Sequence, residues 1–297
     1  MAHKYNTASK YHKGWHVRKI IFLLFSSLLF AKPIVIVSIL PEKTFVEKIA
    51  KEMADITVMV EPGSSPHAYE PKSSQMVSIS KADVYFSIGV EFENVWLGKF
   101  KSQNPALKFV NLSDAITKIE MGEHHHEGEH NTGEQNHSGL DPHTWTSPKN
   151  VAIMALSIYE TLAKLDPKNE QFYKANLNDF LKEIEDTDRQ IKEALKDMKP
   201  NSKFMVFHPS WGYFAHEYGL TQIAVEVDGK NPKPKEMITI INEAKEEKVK
   251  AIFTQPEFSD KSAQIIAKEV GVRVEIESPM AADWSPNLIK MAKAIAN

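Results

Sequence analysis

Short apolar runs alternate with amphipathic stretches over most of the chain. In the first half, the pattern predicts strands at residues 34–37, 56–60, 84–88 and 109–112, and helices at residues 41–53, 72–81 and 91–100. The second half predicts strands at residues 203–207, 223–227, 251–254 and 272–276, and helices at residues 211–218, 234–248, 260–269 and 287–296. Strands that alternate with helices in this way are typical of mostly parallel sheets with flanking helices.

Between these halves the pattern is helical throughout. A helix is predicted over residues 151–165, and a longer one begins at Pro167 and ends at Met198, shortly before Pro200. Apolar positions recur at helical spacing over about thirty residues, which corresponds to a helix of about 45 Å. We therefore predict an α/β fold of two lobes joined by one long rigid helix. The predicted boundaries are 32–165 for the N-terminal lobe, 166–199 for the linker helix and 200–297 for the C-terminal lobe.

An apolar run near the N-terminus departs from this alternation. Residues 20–31 are apolar or small and follow Arg18 and Lys19, a pattern that favours a secretory signal peptide over residues 1–31. A permanent membrane anchor is the alternative, and translation that starts at Val17 would give a leader of more usual length. After this segment no apolar run is long enough to span a bilayer. We expect an exported protein that resides in the periplasm.

Composition and charge narrow the classes of function. The 297-residue chain is 42% hydrophobic and 25% charged. Its formal net charge is −3, and nucleic-acid-binding domains are usually basic, so the charge does not predict nucleic acid as a partner. It contains no cysteine, which excludes disulfides, thiolate catalysis and cysteine-type zinc sites. We expect a monomer.

Three widely spaced histidines, each next to a proline, are the candidate chemistry. His67, His143 and His208 follow extended or turn-forming stretches, and in open α/β sheets ligands collect where such loops converge. Neutral imidazole suits a borderline cation such as Zn²⁺. We predict that the three rings bind zinc in the cleft between the lobes, although each histidine alone could equally have a structural role. Three histidines and a water also describe catalytic zinc, but no carboxylate is clearly positioned in the sequence as a base, so a zinc hydrolase is the weaker alternative.

A polar insertion at residues 118–138 contains a second group of histidines. Nine histidines follow Val17, and five of them lie in this insertion: His124, His125, His126, His130 and His137. A solvated loop without function is one interpretation. We favour weak auxiliary zinc binding that raises the local metal concentration near the cleft.

Three segments together resemble the motifs of zinc-uptake solute-binding proteins of ABC importers. They are Pro-Gly-Ser-Ser-Pro-His-Ala-Tyr-Glu-Pro at residues 62–71, Asp-Pro-His-Thr-Trp at 141–145 and Phe-His-Pro-Ser-Trp-Gly-Tyr-Phe-Ala at 207–215. The histidine-rich insertion is similar to that of the zinc branch of the family. The resemblance covers the chain from about residue 32 onward. It implies two lobes joined by a long helix, a metal held by His67, His143 and His208, and delivery of zinc to a membrane permease.

The sequence departs from the family pattern at one position. Many relatives have a metal-binding aspartate after the last strand, where this chain has Glu-Ser-Pro-Met at residues 277–280, with Ser278 in the aspartate's place. A water, a histidine of the insertion, Glu277 or Asp283 could supply the fourth ligand. Without the aspartate, the donor set favours zinc over manganese, and a manganese-uptake or adhesin-type protein on the same fold remains the alternative.

Overall fold

A computed structural model describes Met1 and residues 32–121, 139–227 and 229–297. Residues 32–297 form one compact unit. The predicted signal peptide and the histidine-rich segment lie outside the described residues and stay predictions. Within the described ranges, no helix combines the length and the apolar character that crossing a membrane requires.

The first lobe is a four-stranded parallel sheet with flanking helices. Its strands are β1 (Ile34–Val37), β2 (Asp55–Val58), β3 (Val84–Ser87) and β4 (Lys108–Asn111), in the order β2-β1-β3-β4. Its helices are α1 (Leu40–Ala50), α2 (Ser73–Ile79) and α3 (Glu91–Gln103). The central strands β1 and β3 are almost wholly buried, which explains their near-continuous apolar sequence.

The second lobe repeats this topology. Its strands are β5 (Lys203–Val206), β6 (Thr221–Ala224), β7 (Ala251–Thr254) and β8 (Arg273–Ile276), in the order β6-β5-β7-β8. The helices of this half are α6 (Gly212–Glu217), α7 (Pro234–Glu246), α8 (Lys261–Val270) and α9 (Trp284–Ala296). The connections from β5 and β7 diverge at the centre of the sheet, and such a switch point is where open parallel sheets bind ligands.

The predicted long helix is present and contacts elements of both halves. Helix α4 (Pro148–Leu165) precedes it, and α5 (Glu170–Leu195) is 26 residues long, about 39 Å. Near its start, Asn176 Nδ2 donates to Ile49 O of α1 at 2.9 Å. Near its end, Tyr218 OH of the second lobe donates to Asp188 Oδ1 at 3.1 Å. The helix is shorter than predicted at both ends, because Pro167–Asn169 forms a separate 3₁₀ turn and the helix ends at Leu195, before the predicted end at Met198.

The lobes share one large core, and a second, smaller core lies in the second lobe. The large core includes β1, β3, α4 and α5, and continues through Phe204, Trp211 and Phe214 to the last helix. Helix α9 is part of it because Trp284 packs edge-to-face on Phe45 of α1, with ring centroids 5.5 Å apart. The apolar packing of the large core continues across residues 165/166 and 199/200. It therefore does not test the predicted boundaries at these positions, and they stay predictions.

Two buried carboxyl groups lie beneath the end of β1. Glu42 is fully buried, and its Oε2 accepts hydrogen bonds from the backbone N–H groups of Ser38 at 2.9 Å and Ile39 at 3.0 Å. Glu93 accepts hydrogen bonds from the Ser38 hydroxyl and from Gly89 N. Burial raises the pKa of Glu42 well above its usual value, and the neighbouring charge of Glu93 raises it further. Glu42 therefore keeps its proton in the folded protein at pH values where the unfolded chain loses it.

We expect Glu42→Gln to flatten the pH dependence of stability. With a raised pKa in the folded state, Glu42 contributes stability fully below the unfolded pKa of about 4.3, and this contribution falls as pH rises through the folded pKa. Glutamine keeps an oxygen for the Ser38 and Ile39 N–H groups and does not ionise. Chemical denaturation at about pH 5 and about pH 8 measures the slope. Exposed Glu52→Gln is the control, and equal slopes in both variants and the parent would contradict the prediction.

Candidate metal site

The structure brings the three predicted histidines together at one point. His67 lies in the loop after β2, His143 directly precedes the 3₁₀ turn Thr144–Thr146, and His208 follows β5. One nitrogen from each ring lies within 4.8 Å of the others, and the Nε2 atoms of His67 and His208 are 3.0 Å apart. Nitrogens bound to a tetrahedral zinc at about 2.0–2.1 Å lie roughly 3.3 Å from one another. Small adjustments of the rings would therefore accommodate an ion.

Each imidazole has a carboxylate behind it, at its Nδ1 atom. His143 Nδ1 lies 2.7 Å from Asp141 Oδ1, His208 Nδ1 lies 2.6 Å from Glu226 Oε1, and His67 Nδ1 lies 3.0 Å from Glu91 Oε2. A carboxylate at Nδ1 favours a proton on that nitrogen and leaves the Nε2 lone pair free. Histidine ligands of zinc are commonly oriented by such partners.

Asp141 fixes both the backbone and the ring of His143. Its Oδ1 atom accepts a hydrogen bond from His143 N at 2.8 Å as well as contacting Nδ1. This is the local turn that an aspartate two residues before its partner forms readily, and Pro142 restricts the backbone between them. Asp141 is fully buried and His143 is 3% exposed, so the pair has little freedom to rotate.

His208 is held at the switch point of the second sheet by Gln255, which follows β7. Gln255 Nε2 donates to His208 O at 3.1 Å and to Ser210 Oγ at 2.8 Å. The ring of Phe258 stacks on the His208 ring, with centroids 4.8 Å apart and an interplanar angle of 25°. The backbone and one ring face of His208 are thus fixed by residues that follow the neighbouring strand.

The histidines differ in exposure and in electrostatic setting. The pKa of His208 is lowered, mainly by burial. The contact with Glu226 and its negative charge raise this pKa, whereas the nearby rings of His143 and His67 lower it further. At His67 burial acts in the same direction, but the contact with Glu91 and the negative charges of Glu91 and Glu226 raise its pKa overall. The side chain of His67 is 28% exposed and that of Glu91 is 42% exposed. The site therefore opens to solvent on the side of His67.

The other predicted ligands are not part of this cluster in the described part of the chain. Glu277 is buried, and its Oε1 atom lies 2.6 Å from Lys290 Nζ. Asp283 precedes α9, where its carbonyl accepts a hydrogen bond from Asn287 N at 3.0 Å. His216 is exposed on α6 and lies outside the cluster. The histidines of residues 124–137 lie outside the described ranges.

Sequence reasoning missed the residues that support the histidines. Asp141 belongs to one of the three motif segments but had no predicted role, while Glu91, Glu226 and Phe258 were not singled out. Glu91 and Glu226 both follow strands, β3 and β6, so the rule that located the histidines also applies to them. Many acidic residues occupy such loops, and only the structure shows which ones face an imidazole.

Comparison with known proteins then identifies the family. A family described as "Zinc-uptake complex component A periplasmic" matches residues 35–297. The chain belongs to this family. A crystal structure of ZnuA has 40% sequence identity to this chain and a TM-score of 0.81, and the match covers 90% of this chain and 98% of that one. The family match agrees with the motif resemblance, and the structural match agrees with the predicted two-lobed α/β fold.

Two curated relatives show how far the similarity extends. The high-affinity zinc uptake system protein ZnuA of Bacillus subtilis is 30% identical over 247 residues, which cover 82% of this chain and 76% of that protein. The zinc-binding protein AdcA of Streptococcus pyogenes is 27% identical over 259 residues, covering 83% of this chain. The chain spans about half the length of AdcA, at 50%.

Proposed function

We propose that this protein captures Zn²⁺ outside the cytoplasm and delivers it to the permease of an ABC importer. His67, His143 and His208 are the proposed ligands, and zinc is the cargo of the site. The observation that carries the proposal is the convergence of three ring nitrogens within 4.8 Å, each ring with a carboxylate at its other nitrogen. The names of the relatives, which refer to zinc binding and zinc uptake, support it.

The donor set favours zinc over manganese. All three atoms that converge are imidazole nitrogens, whereas manganese prefers carboxylate, carbonyl and water oxygens. The carboxylates near the site contact the far side of the rings, at Nδ1, and orient them. Three nitrogens leave one position of a tetrahedral ion for a water, a histidine of residues 124–137, Glu277 or Asp283. Our first choice for this position is water.

The same contacts support a binding role over a hydrolytic one. A zinc hydrolase needs a carboxylate or another base that is free to activate the metal-bound water. Asp141 and Glu226 are both buried, and each contacts a histidine Nδ1 within 2.7 Å. We propose that they hold ligands in place and do not transfer protons to a substrate.

The histidine-rich segment is proposed to act as an auxiliary zinc-binding region. Its five histidines within residues 124–137 would bind additional ions weakly and raise the local zinc concentration. Residues 121 and 139, on either side of it, are joined by a hydrogen bond from Met121 N to Gly139 O at 3.2 Å. We further propose a periplasmic location and a monomeric protein that docks on the permease.

Calorimetric titration of the intact chain with zinc, alone and in competition with manganese, tests the function. We expect one tight zinc site together with weaker sites, and no displacement of the tight ion by about a 100-fold excess of manganese, following the metal preferences of nitrogen donors. A variant that lacks residues 123–137 should lose the weaker sites and keep the tight one. Tight manganese binding that excludes zinc would instead support the manganese-uptake alternative.

A further inference from the structure

Gly212, the first residue of α6, leaves no room for a side chain. A Cβ atom at this position would lie 2.3 Å from Asp141 Oδ2, 3.2 Å from Gln222 Nε2 and 3.5 Å from Ile119 Cδ1. Gly212 is not one of the glycines with positive φ, so its backbone conformation is open to other residues. The close approach of the Asp141 carboxylate is therefore the reason that glycine is required here.

Asp141 cannot easily move out of the way. It is fully buried, and its other oxygen, Oδ1, is 2.8 Å from His143 N and 2.7 Å from His143 Nδ1. A displacement of the carboxylate by about 1 Å, as relief of a 2.3 Å contact requires, would stretch or break both contacts. The ring of His143 would then lose the group that orients it.

Tyr213 makes a second contact at the same place. Its hydroxyl donates a hydrogen bond to Asp141 O at 3.0 Å and accepts one from Ile119 N at 3.3 Å. Tyr213 is 4% exposed, so these bonds are sheltered from water. Residues 212 and 213 of the second lobe thus meet the backbone and the side chain of Asp141, which precedes His143. We call this contact the 212–213 junction.

The other side of the junction leads directly to His208. Only three residues separate His208 from Gly212, and Gln222 of β6 holds this loop at two points. Its Oε1 atom accepts a hydrogen bond from Trp211 N at 3.0 Å, and its Nε2 atom donates to Pro209 O at 3.2 Å. A short loop restrained in this way transmits the position of Gly212 to His208.

We propose that Gly212 and Tyr213 are positioning residues for the zinc site, and that the 212–213 junction sets the placement of His143 relative to His208. The proposal deepens the proposed function and rests on it. Neither residue is one of the proposed ligands. Gly212 acts by allowing the Asp141 carboxylate to pack against the start of α6, and Tyr213 acts by fixing the Asp141 backbone. The ring nitrogens of two histidines from different lobes then meet at one point.

Gly212→Ala tests the junction, with Gly98→Ala as the matched control. A Cβ at Gly98, in α3, meets nothing within 4 Å. Changes in groups that orient zinc ligands typically lower affinity by about 10–100-fold, and we expect a loss in this range for Gly212→Ala with a stoichiometry of one at the tight site. Gly98→Ala should bind zinc like the parent. Competition with a chromophoric chelator measures both, and an unchanged affinity for Gly212→Ala would overturn the proposal.

A double-mutant cycle shows whether Gly212 acts through Asp141. In an Asp141→Ala background the carboxylate that meets the new Cβ is absent, so Gly212→Ala should weaken zinc binding there by less than about twofold. Such a non-additive effect is expected of two residues in direct contact. The same loss in both backgrounds would mean a general structural effect and would overturn the proposal. In the metal-free protein, the Nδ1 proton resonance of His143 should shift in Gly212→Ala and stay unchanged in Gly98→Ala.

Tyr213→Phe provides a test that does not depend on the folding of Gly212→Ala. It removes only the hydroxyl that bonds Asp141 O and Ile119 N, and we expect zinc affinity to fall by several-fold, consistent with the loss of these two sheltered hydrogen bonds. Unchanged affinity in this variant would contradict the role of Tyr213. If the unsubstituted chain failed to bind zinc at all, the proposed function itself would fail, and that result is distinguishable from a failure of the junction.

Discussion

Replacement of His143 by alanine is expected to abolish tight zinc binding. The loss should exceed about 100-fold in affinity, because changes to the groups behind a zinc ligand already cost about 10–100-fold. Alanine removes one of three nitrogens and leaves the buried carboxylate of Asp141 without its imidazole partner. His208→Ala should have a similar effect, since His208 is 6% exposed and contacts Glu226 in the same way. Calorimetric titration with zinc measures both losses.

Alanine substitutions at His67 and His216 should lower zinc affinity less than the substitution at His143. His67→Ala should lower affinity less than His143→Ala, because His67 is 28% exposed, its partner Glu91 is 42% exposed, and water can replace the lost ligand. His216→Ala is the control, because this histidine is exposed on α6 and outside the cluster of three. Tight binding with unchanged stoichiometry in His143→Ala would show that the three rings do not form the site.

The order and type of the secondary-structure elements could be predicted from hydrophobic periodicity. All eight predicted strands are present. The clearest signal comes from a central strand, residues 34–37, which is a continuous apolar run because central parallel strands are buried on both faces. The ends of elements were less predictable. The strand predicted at 56–60 ends at Val58, although Met59 N still donates to O of Val37, the last residue of β1, and Val60 N donates to Ser38 O just after it.

The histidines could be predicted because residue type and loop position both restrict them. One such histidine could equally have a structural role, but three of them, each next to a proline in a loop, pointed together to one cleft. The carboxylates behind them had no such signal, because Asp and Glu are common in every surface loop. Glu226 becomes identifiable only when its distance from His208 Nδ1, 2.6 Å, is known.

The contact between the lobes was also beyond the reach of sequence patterns. Periodicity places α9 at the end of the C-terminal lobe, but it does not reveal which neighbour its apolar face covers. In the structure this face packs on α5 and α1, so the last helix of the chain completes the core of the first lobe. Such a shared core restricts movement of one sheet relative to the other. It also makes the contacts of a few aromatic residues decisive for stability.

Trp284→Ala is expected to destabilise the folded protein by several kcal/mol. The Trp284 ring is 3% exposed and packs on Phe45 and Phe180, with centroid separations of 5.5 Å and 6.4 Å. Its Nε1 atom donates a hydrogen bond to Trp145 O at 2.8 Å. Deleting a buried tryptophan typically costs about 3–5 kcal/mol. A buried carbonyl left without its donor adds about 1–3 kcal/mol.

Chemical denaturation of the metal-free protein measures this loss. Trp284→Phe keeps most of the aromatic packing and removes the hydrogen bond, so it should cost about 1–3 kcal/mol. Leu156→Ala is the control, because Leu156 is 46% exposed on α4, and substitutions at such positions usually change stability by about 0.5 kcal/mol or less. Because both lobes contribute to the core around Trp284, we expect one cooperative transition that shifts as a whole. Two separate transitions, with only one of them sensitive to Trp284→Ala, would mean that the lobes unfold independently and that their shared core contributes little.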